Sequence, residues 1–188
     1  MASWPIVGRL TRQLGLFNLR WDPSIFIHDL TTPFPWADDC AEVIYSSHTL
    51  EHLDRAQGQE FLTQCFRVLR PGGVIRIVVP DLAFHVERYS KGTVPADSFL
   101  EDLDVLYGAG KSGMKRWLAP FVQYPHKCMY DQKALLIAMH RAGFACEPRR
   151  PFDSRIMDIE SIELAGRTDN SVIVEGLKPA GLSTLNRQ

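Results

Sequence analysis

The stretch Val74–Val79 reads VIRIVV, and it follows directly on Pro71-Gly72-Gly73. A half-buried strand alternates apolar and polar residues. A nearly continuous apolar run is what a strand buried on both faces looks like, and such strands belong to parallel sheets covered by helices. Ala41–Ser46 upstream, AEVIYS, has the β-branched and aromatic character of a second strand. Between them, from about Arg55 to Arg70, Phe61, Leu62, Cys65, Phe66 and Leu69 fall on one helical stripe. Arg67 and Arg70 lie in its last turns, where cations complement the helix dipole. Pro71-Gly72-Gly73 then stops the helix. Strand, helix, Gly-rich turn and strand make one right-handed βαβ crossover.

The rest of the chain is read around this unit. Pro5–Leu16 places Ile6, Val7, Leu10 and Leu14 on one side at helical spacing, and Phe17–Trp21 reads as a short strand. Ile25–Leu30, IFIHDL, reads as a further strand closed by the turn-rich TTPFPWADD. Asp131–Ala142 is a helix with Asp131 as N-cap and Gly143 as its stop. Phe144–Pro148 and Ser171–Leu177 are the closing strands, and the tail after Pro179 is expected to fray. From Leu82 to Tyr130 the pattern breaks, with Gly92, Pro95, Gly108, Gly110, Gly113, Pro120 and Pro125 interspersed. An insertion of that length after a strand reads as a lid-like segment, at about 82–130, within a single domain spanning 1–188.

Composition narrows the function classes. The 188 residues are 45% hydrophobic and 23% charged, enough for one core. The formal net charge of -1 leaves no basic footprint for nucleic acid and no polybasic patch for a membrane. Cys40, Cys65, Cys128 and Cys146 are scattered and read as reduced thiols, not a disulfide framework. MASWPIVGRL is no secretory signal, and no run is long enough to span a bilayer. The expectation is a soluble cytoplasmic protein.

Ligands in open α/β sheets bind outside the carboxyl ends of the strands. That rule selects Asp29 and Leu30 after the first strand, Ser46, Ser47 and His48 after the second, and Asp81 after VIRIVV. Each alone is as well read as a turn cap or surface group; together they mark one crevice. HTLEH, His48 to His52, also spells H-x-x-E-H, which on a helix would set two imidazoles on one face with Glu51 as base. A third acidic ligand is wanted downstream, and Glu101 and Asp102 have no recognisable setting for it. The reading retained is that His48 and His52 cap and line the crevice, with a zinc hydrolase as a remote alternative. His126, Cys128 and Tyr130 form a third cluster. H-x-C is too sparse for a metal site, so no metal is expected. His126 or Tyr130 would instead orient or deprotonate an acceptor on this loop, or simply pack it. Trp36, Trp117 and Phe121 are read as core or lid packing, with lining of an acceptor pocket as the alternative.

The layout HDL…PFPWADDCAEVIYSSHTLEHL…EFLTQCFRVLRPGGVIRIVVPDL resembles the class I S-adenosylmethionine-dependent methyltransferases, most closely the methyltransferase type 11 group. HKCMYD, AGF and DSRI…ELAGR…SVIVEGLKP are similar to the same group, so the resemblance runs from about Trp21 to Pro179. It implies a Rossmann-like α/β sheet with helices on both faces and S-adenosyl-L-methionine as cofactor. It places Asp29 and Leu30 at the adenine, and Ser46, Ser47 and His48 along the methyl donor. His48 is the first candidate for a catalytic base and His126 the second. Asp81 and Tyr130 are assigned to substrate. The activity implied is O- or N-methyl transfer to a small-molecule or glycan acceptor.

One departure matters. No strand followed by D/E-x-G-x-G precedes Ile25, since Gly8 and Gly15 are isolated, and Arg20 or Asp22 would occupy the ribose position. The expectation is a family sheet lacking its first strand and glycine loop. The recorded start is then an internal methionine of a longer protein, or the chain is a natural remnant. A non-catalytic methyltransferase-like interaction module is the rival reading. An open sheet edge would encourage pairing, so a homodimer is one option and the oligomeric state stays open.

Overall fold

The computed structural model describes residues 24–106 and 124–180. At its centre are four strands, β1 (Ala41–Ser47), β2 (Leu69–Pro80), β3 (Ala145–Pro148) and β4 (Ser171–Leu177), lying side by side in the order β1-β2-β4-β3. β1 and β2 are parallel, and β4 runs antiparallel to both β2 and β3. Between β1 and β2 the chain passes through a 3-10 turn (Leu50–His52) and helix α1 (Arg55–Val68). This is the βαβ unit expected from the apolar runs. After β2 come α2 (Leu82–Ser90), α3 (Ala96–Asp102) and α4 (Gln132–Arg141). A second 3-10 turn (Ile159–Ser161) and the short α5 (Ala165–Thr168) precede β4. No described helix is long and apolar enough to cross a membrane.

Helix α1 begins where Asp54 caps it: its carboxylate accepts from Gln57 N at 2.9 Å, and the Gln57 side chain accepts from Asp54 N at 3.1 Å. This capping box satisfies donors that the first helical turn leaves orphaned. The face it presents is Phe61, Leu62, Cys65 and Val68, all buried against Ile75, Ile77, Val79 and Val174 of the sheet. Each such large apolar side chain contributes roughly 1.5–3 kcal/mol on full burial. α4 adds Leu135 and Met139 to the same core. It starts at Asp131, which accepts from Ala134 N, and stops at Gly143, whose φ of +106° only glycine adopts easily.

The opposite face of β2 carries Arg76, and β4 answers with Glu175. These two meet Glu163 and the backbone of the 149–163 segment, which covers that face. Arg76 is wholly buried. It donates to both oxygens of Glu163 at 2.8 Å, to Glu175 at 3.0 Å, and to the carbonyls of Asp153 and Arg150.

Three expectations change. Ile25–Leu30 is not a strand: no described strand lies beside it, and Ile25, Phe26 and Ile27 are exposed. Aromatic contacts organise this stretch, Phe26 and Phe34 both packing on Trp36 with ring centroids 5.6 and 5.5 Å away. Second, Pro71-Gly72-Gly73 does not separate helix from strand. β2 already starts at Leu69, opposite Ala41, and the next pair is Val43 with Val74, so Arg70–Gly73 loops out of the ladder. A Cβ at Gly73 would fall 2.9 Å from the Glu42 carbonyl oxygen, which fixes glycine there. Third, HTLEH does not form a helix: His48 has a φ of +50° and only Leu50–His52 coil, so His48 and His52 share no helical face. The helix and strand expected over 5–21, Trp117 and Phe121, and the tail beyond residue 180 lie outside the described residues.

Candidate functional site

The carboxyl end of β1 carries Ser46 and Ser47, and both hydroxyl oxygens are buried without a hydrogen-bond partner among the described residues. Along the edge of this strand that no described strand pairs runs a groove of about 740 Å³. Ile44, Phe61, Cys65 and Val68 form its apolar wall, Leu30 and Trp36 its outer side, and Ser46 and Ser47 its polar end. Unsatisfied hydroxyls beside an open apolar groove are groups waiting for a ligand. Asp29 is placed differently from Leu30. Its carboxylate accepts from Thr31 N at 2.9 Å and from Thr31 Oγ1 at 2.7 Å, and these bonds hold its pKa below the ordinary carboxylate value.

His48 turns the chain away from β1. Its backbone N–H donates to the Val78 carbonyl at 2.9 Å, so the ladder between β1 and β2 positions it. Its Nε2 lies 2.8 Å from the Arg167 carbonyl, which only accepts, so the proton sits on Nε2. Its Nδ1 stands 3.3 Å from Glu51 Oε1. The facing carboxylate raises the His48 pKa above the ordinary histidine value, against the opposing effect of burial.

Glu51 is the centre of this cluster and is completely buried. Neither carboxylate oxygen has a hydrogen-bond partner among the described residues. His126 Nε2 lies 3.9 Å from Oε1, while His126 Nδ1 lies 2.8 Å from the Leu103 carbonyl. The His52 ring stacks edge-on against His126 at 4.9 Å, and His52 Nδ1 is buried and unpartnered. Backbone bonds fix the two segments together: Lys127 N and Cys128 N both donate to the Glu51 carbonyl. The loop holding His126 is thus clamped onto the turn holding Glu51 and His52.

The structure therefore gathers His48 and His126 around one carboxylate, and Ser46, Ser47 and Leu30 around one groove. Asp81 and Tyr130 lie beside this cluster in contacts of their own. Asp81 caps α2, accepting from Ala83 N at 2.9 Å, and pairs with Tyr130 through a parallel bridge. Tyr130 is in the core, with its hydroxyl oxygen 3.1 Å from where a Cβ on Gly58 would sit, and burial pushes its pKa up. Glu51 was visible in the sequence through H-x-x-E-H alone. His85 on α2 gave no signal; its Nδ1 is buried and unpartnered, and burial lowers its pKa.

The chain is similar to known proteins. The family model described as "Methyltransferase domain" matches residues 19–148. A curated relative, a probable S-adenosylmethionine-dependent methyltransferase of Mycolicibacterium smegmatis, is 40% identical over 55 residues, covering 29% of this chain and 20% of the relative. The chain thus spans only part of that relative's length. Among solved structures, an O-methyltransferase family protein of Burkholderia thailandensis is 15% identical with a TM-score of 0.49, over 96% of this chain and 42% of that one. The YcgJ protein of Bacillus subtilis is 13% identical with a TM-score of 0.46, over 94% and 78%. With a family match across more than half of its length, the chain belongs to the methyltransferase-domain family.

Proposed function

We propose that the protein transfers a methyl group from S-adenosylmethionine to an oxygen or nitrogen acceptor on a small molecule or glycan. The observation that carries this reading is the pair of unpartnered Ser46 and Ser47 hydroxyls at the carboxyl end of β1, opening on a groove, in a chain of this family. The named activity of the Mycolicibacterium smegmatis relative supports it.

When bound, the cofactor supplies a sulfonium-activated methyl group, so the protein's main task is alignment. Ser46 and Ser47 would hydrogen-bond polar atoms of the cofactor, and Leu30 and Trp36 would cover its apolar parts. His48, next to Ser47 in the chain, is pinned on both sides, by Arg167 and by Glu51. The acceptor belongs on the cluster side, where Glu51, His48 and His126 can take up a proton that the acceptor loses. α2 and α3, with the chain that returns at His126, would form the acceptor side of the site.

Titration calorimetry of the full chain with S-adenosylmethionine and with its demethylated product tests the proposal. A saturable heat for both, with a thermal shift, is the expected result. No heat and no shift at millimolar ligand would overturn it and leave a non-catalytic module of the same family.

A further inference from the structure

Glu51 is a fully buried carboxylate that the described residues answer only in part, through His48 Nδ1 at 3.3 Å from Oε1. A buried carboxylate without hydrogen bonds is costly unless a positive partner lies against it. The groups facing it are imidazoles whose proton positions are set from outside. His126 Nδ1 lies 2.8 Å from the Leu103 carbonyl and must carry a proton, so in the neutral ring the lone pair is on Nε2, the atom 3.9 Å from Glu51 Oε1. His52 adds a buried ring whose Nδ1 has no partner. Imidazole lone pairs and a carboxylate pointing into one space are a donor set that a cation would satisfy.

We propose that Glu51, His52 and His126 bind one divalent first-row transition cation of the zinc or ferrous type. One donor atom from each lies within 4.8 Å of the others. Donors around a single ion with bonds of about 2.0–2.2 Å stand roughly 3–3.5 Å apart, so the side chains close up by about an ångström on binding. Two features make the site a built one. The Leu103 carbonyl fixes the tautomer and aim of His126, as outer-sphere acceptors do for metal-bound histidines. The Lys127 and Cys128 amides, both donating to the Glu51 carbonyl, hold the His126 loop against the turn of Glu51 and His52. His48 Nδ1, 3.3 Å from the same carboxylate oxygen, flanks the site.

The donor set chooses the ion. Two imidazoles and one carboxylate suit zinc, iron, cobalt or nickel, whereas magnesium and calcium prefer all-oxygen shells. Three protein donors leave coordination positions open to water or to an acceptor oxygen. The site stands whether or not the chain binds S-adenosylmethionine; with the ion bound, Glu51 and His126 are its ligands and His48 alone is left to take the acceptor's proton.

The test uses the full chain, stripped with a chelator and titrated with Co2+ and with Zn2+ alone. One ion per chain is expected, with a Co2+ visible spectrum of nitrogen and oxygen ligation. Glu51→Gln and His126→Ala should each weaken binding more than tenfold while circular dichroism stays native. His140→Ala, an exposed histidine on α4, should leave it unchanged. If Glu51→Gln fails to fold, His52→Ala takes its place in the comparison. Equal affinity in the wild type and in folded ligand variants would overturn the site. Thiolate charge-transfer bands, which would put the metal on cysteine, would also overturn it, as would full competition by equimolar Mg2+. The S-adenosylmethionine heat reports separately on methyl transfer.

Discussion

Arg76 and Glu163 form a bidentate pair, Nε and Nη2 each donating at 2.8 Å to a different carboxylate oxygen, and both side chains are fully withdrawn from solvent. Glu175 lies on the other side of the same guanidinium. Planar fork-to-fork geometry makes such a pair strong, but its cost on breaking exceeds its net worth, because the survivor stays buried. Arg76→Met leaves two carboxylates without their common partner and should lower unfolding stability by about 3–5 kcal/mol. Arg76→Met combined with Glu163→Leu and Glu175→Leu should recover a large part of that loss. Urea unfolding of the wild type, the single variant and the triple variant measures both effects. A loss below 1 kcal/mol in the single variant would mean that solvent reaches this pair.

Ser46 and Ser47 make the opposite prediction. Their hydroxyls are unpartnered, so Ser46→Ala and Ser47→Ala remove a burial penalty and should leave thermal stability unchanged or slightly higher. If a ligand satisfies these groups, each substitution should weaken binding of the demethylated cofactor by a few-fold to about tenfold, the worth of one hydrogen bond. Calorimetry beside thermal unfolding separates the two. A serine that costs stability and not affinity would belong to the scaffold.

These cases mark how far the sequence could be read. α1, α4, β2 and β4 were legible because their signals are local: a stripe at helical spacing, Asp131 and Gly143 at the ends, a nearly continuous apolar run. The role of Arg76 within that run was not legible, since its partners Glu163 and Glu175 are far along the chain. Ile25–Leu30 misled because its β-branched composition states only that the residues suit a sheet, and a strand needs a neighbour to exist. At the candidate site, Ser46, Ser47 and His48 followed from the strand-end rule. The gathering of Glu51, His52 and His126 did not, because a long insertion separates His126 from the other two, and two backbone bonds to the Glu51 carbonyl make the contact.

His85 gives a pH prediction with a definite sign. Burial is the main cause that lowers its pKa, with the charges of Asp102, Arg88, Asp81 and His126 around it. A histidine held neutral in the folded state contributes stability that is fully present above its unfolded pKa, near 6.5. That contribution is lost as pH falls from there through its depressed folded value. Thermal unfolding of the wild type should therefore drop between pH 7 and pH 5 by more than that of His85→Leu. Parallel curves for the two proteins would show that His85 titrates in the native state as it does unfolded.

The cysteines offer a last prediction, on chemistry rather than stability. The thiolate is the reactive form, so a raised pKa and a closed environment both protect. Burial pushes the Cys65 thiol up to about 12 and the Cys146 thiol likewise to about 12. Cys40 is exposed and lies on the wall of the groove beside β1. Iodoacetamide at pH 8 should label Cys40 within minutes and Cys65 only on unfolding, as mass spectrometry of digests would record. Because Cys40 shares its groove with Ser46 and Ser47, saturating demethylated cofactor should slow its labelling and leave the rates at Cys65 and Cys146 unchanged. Unaltered Cys40 labelling at a ligand concentration that gives saturable heat would place the ligand outside this groove, and would move the search for its polar contacts from the end of β1 to the His48 side.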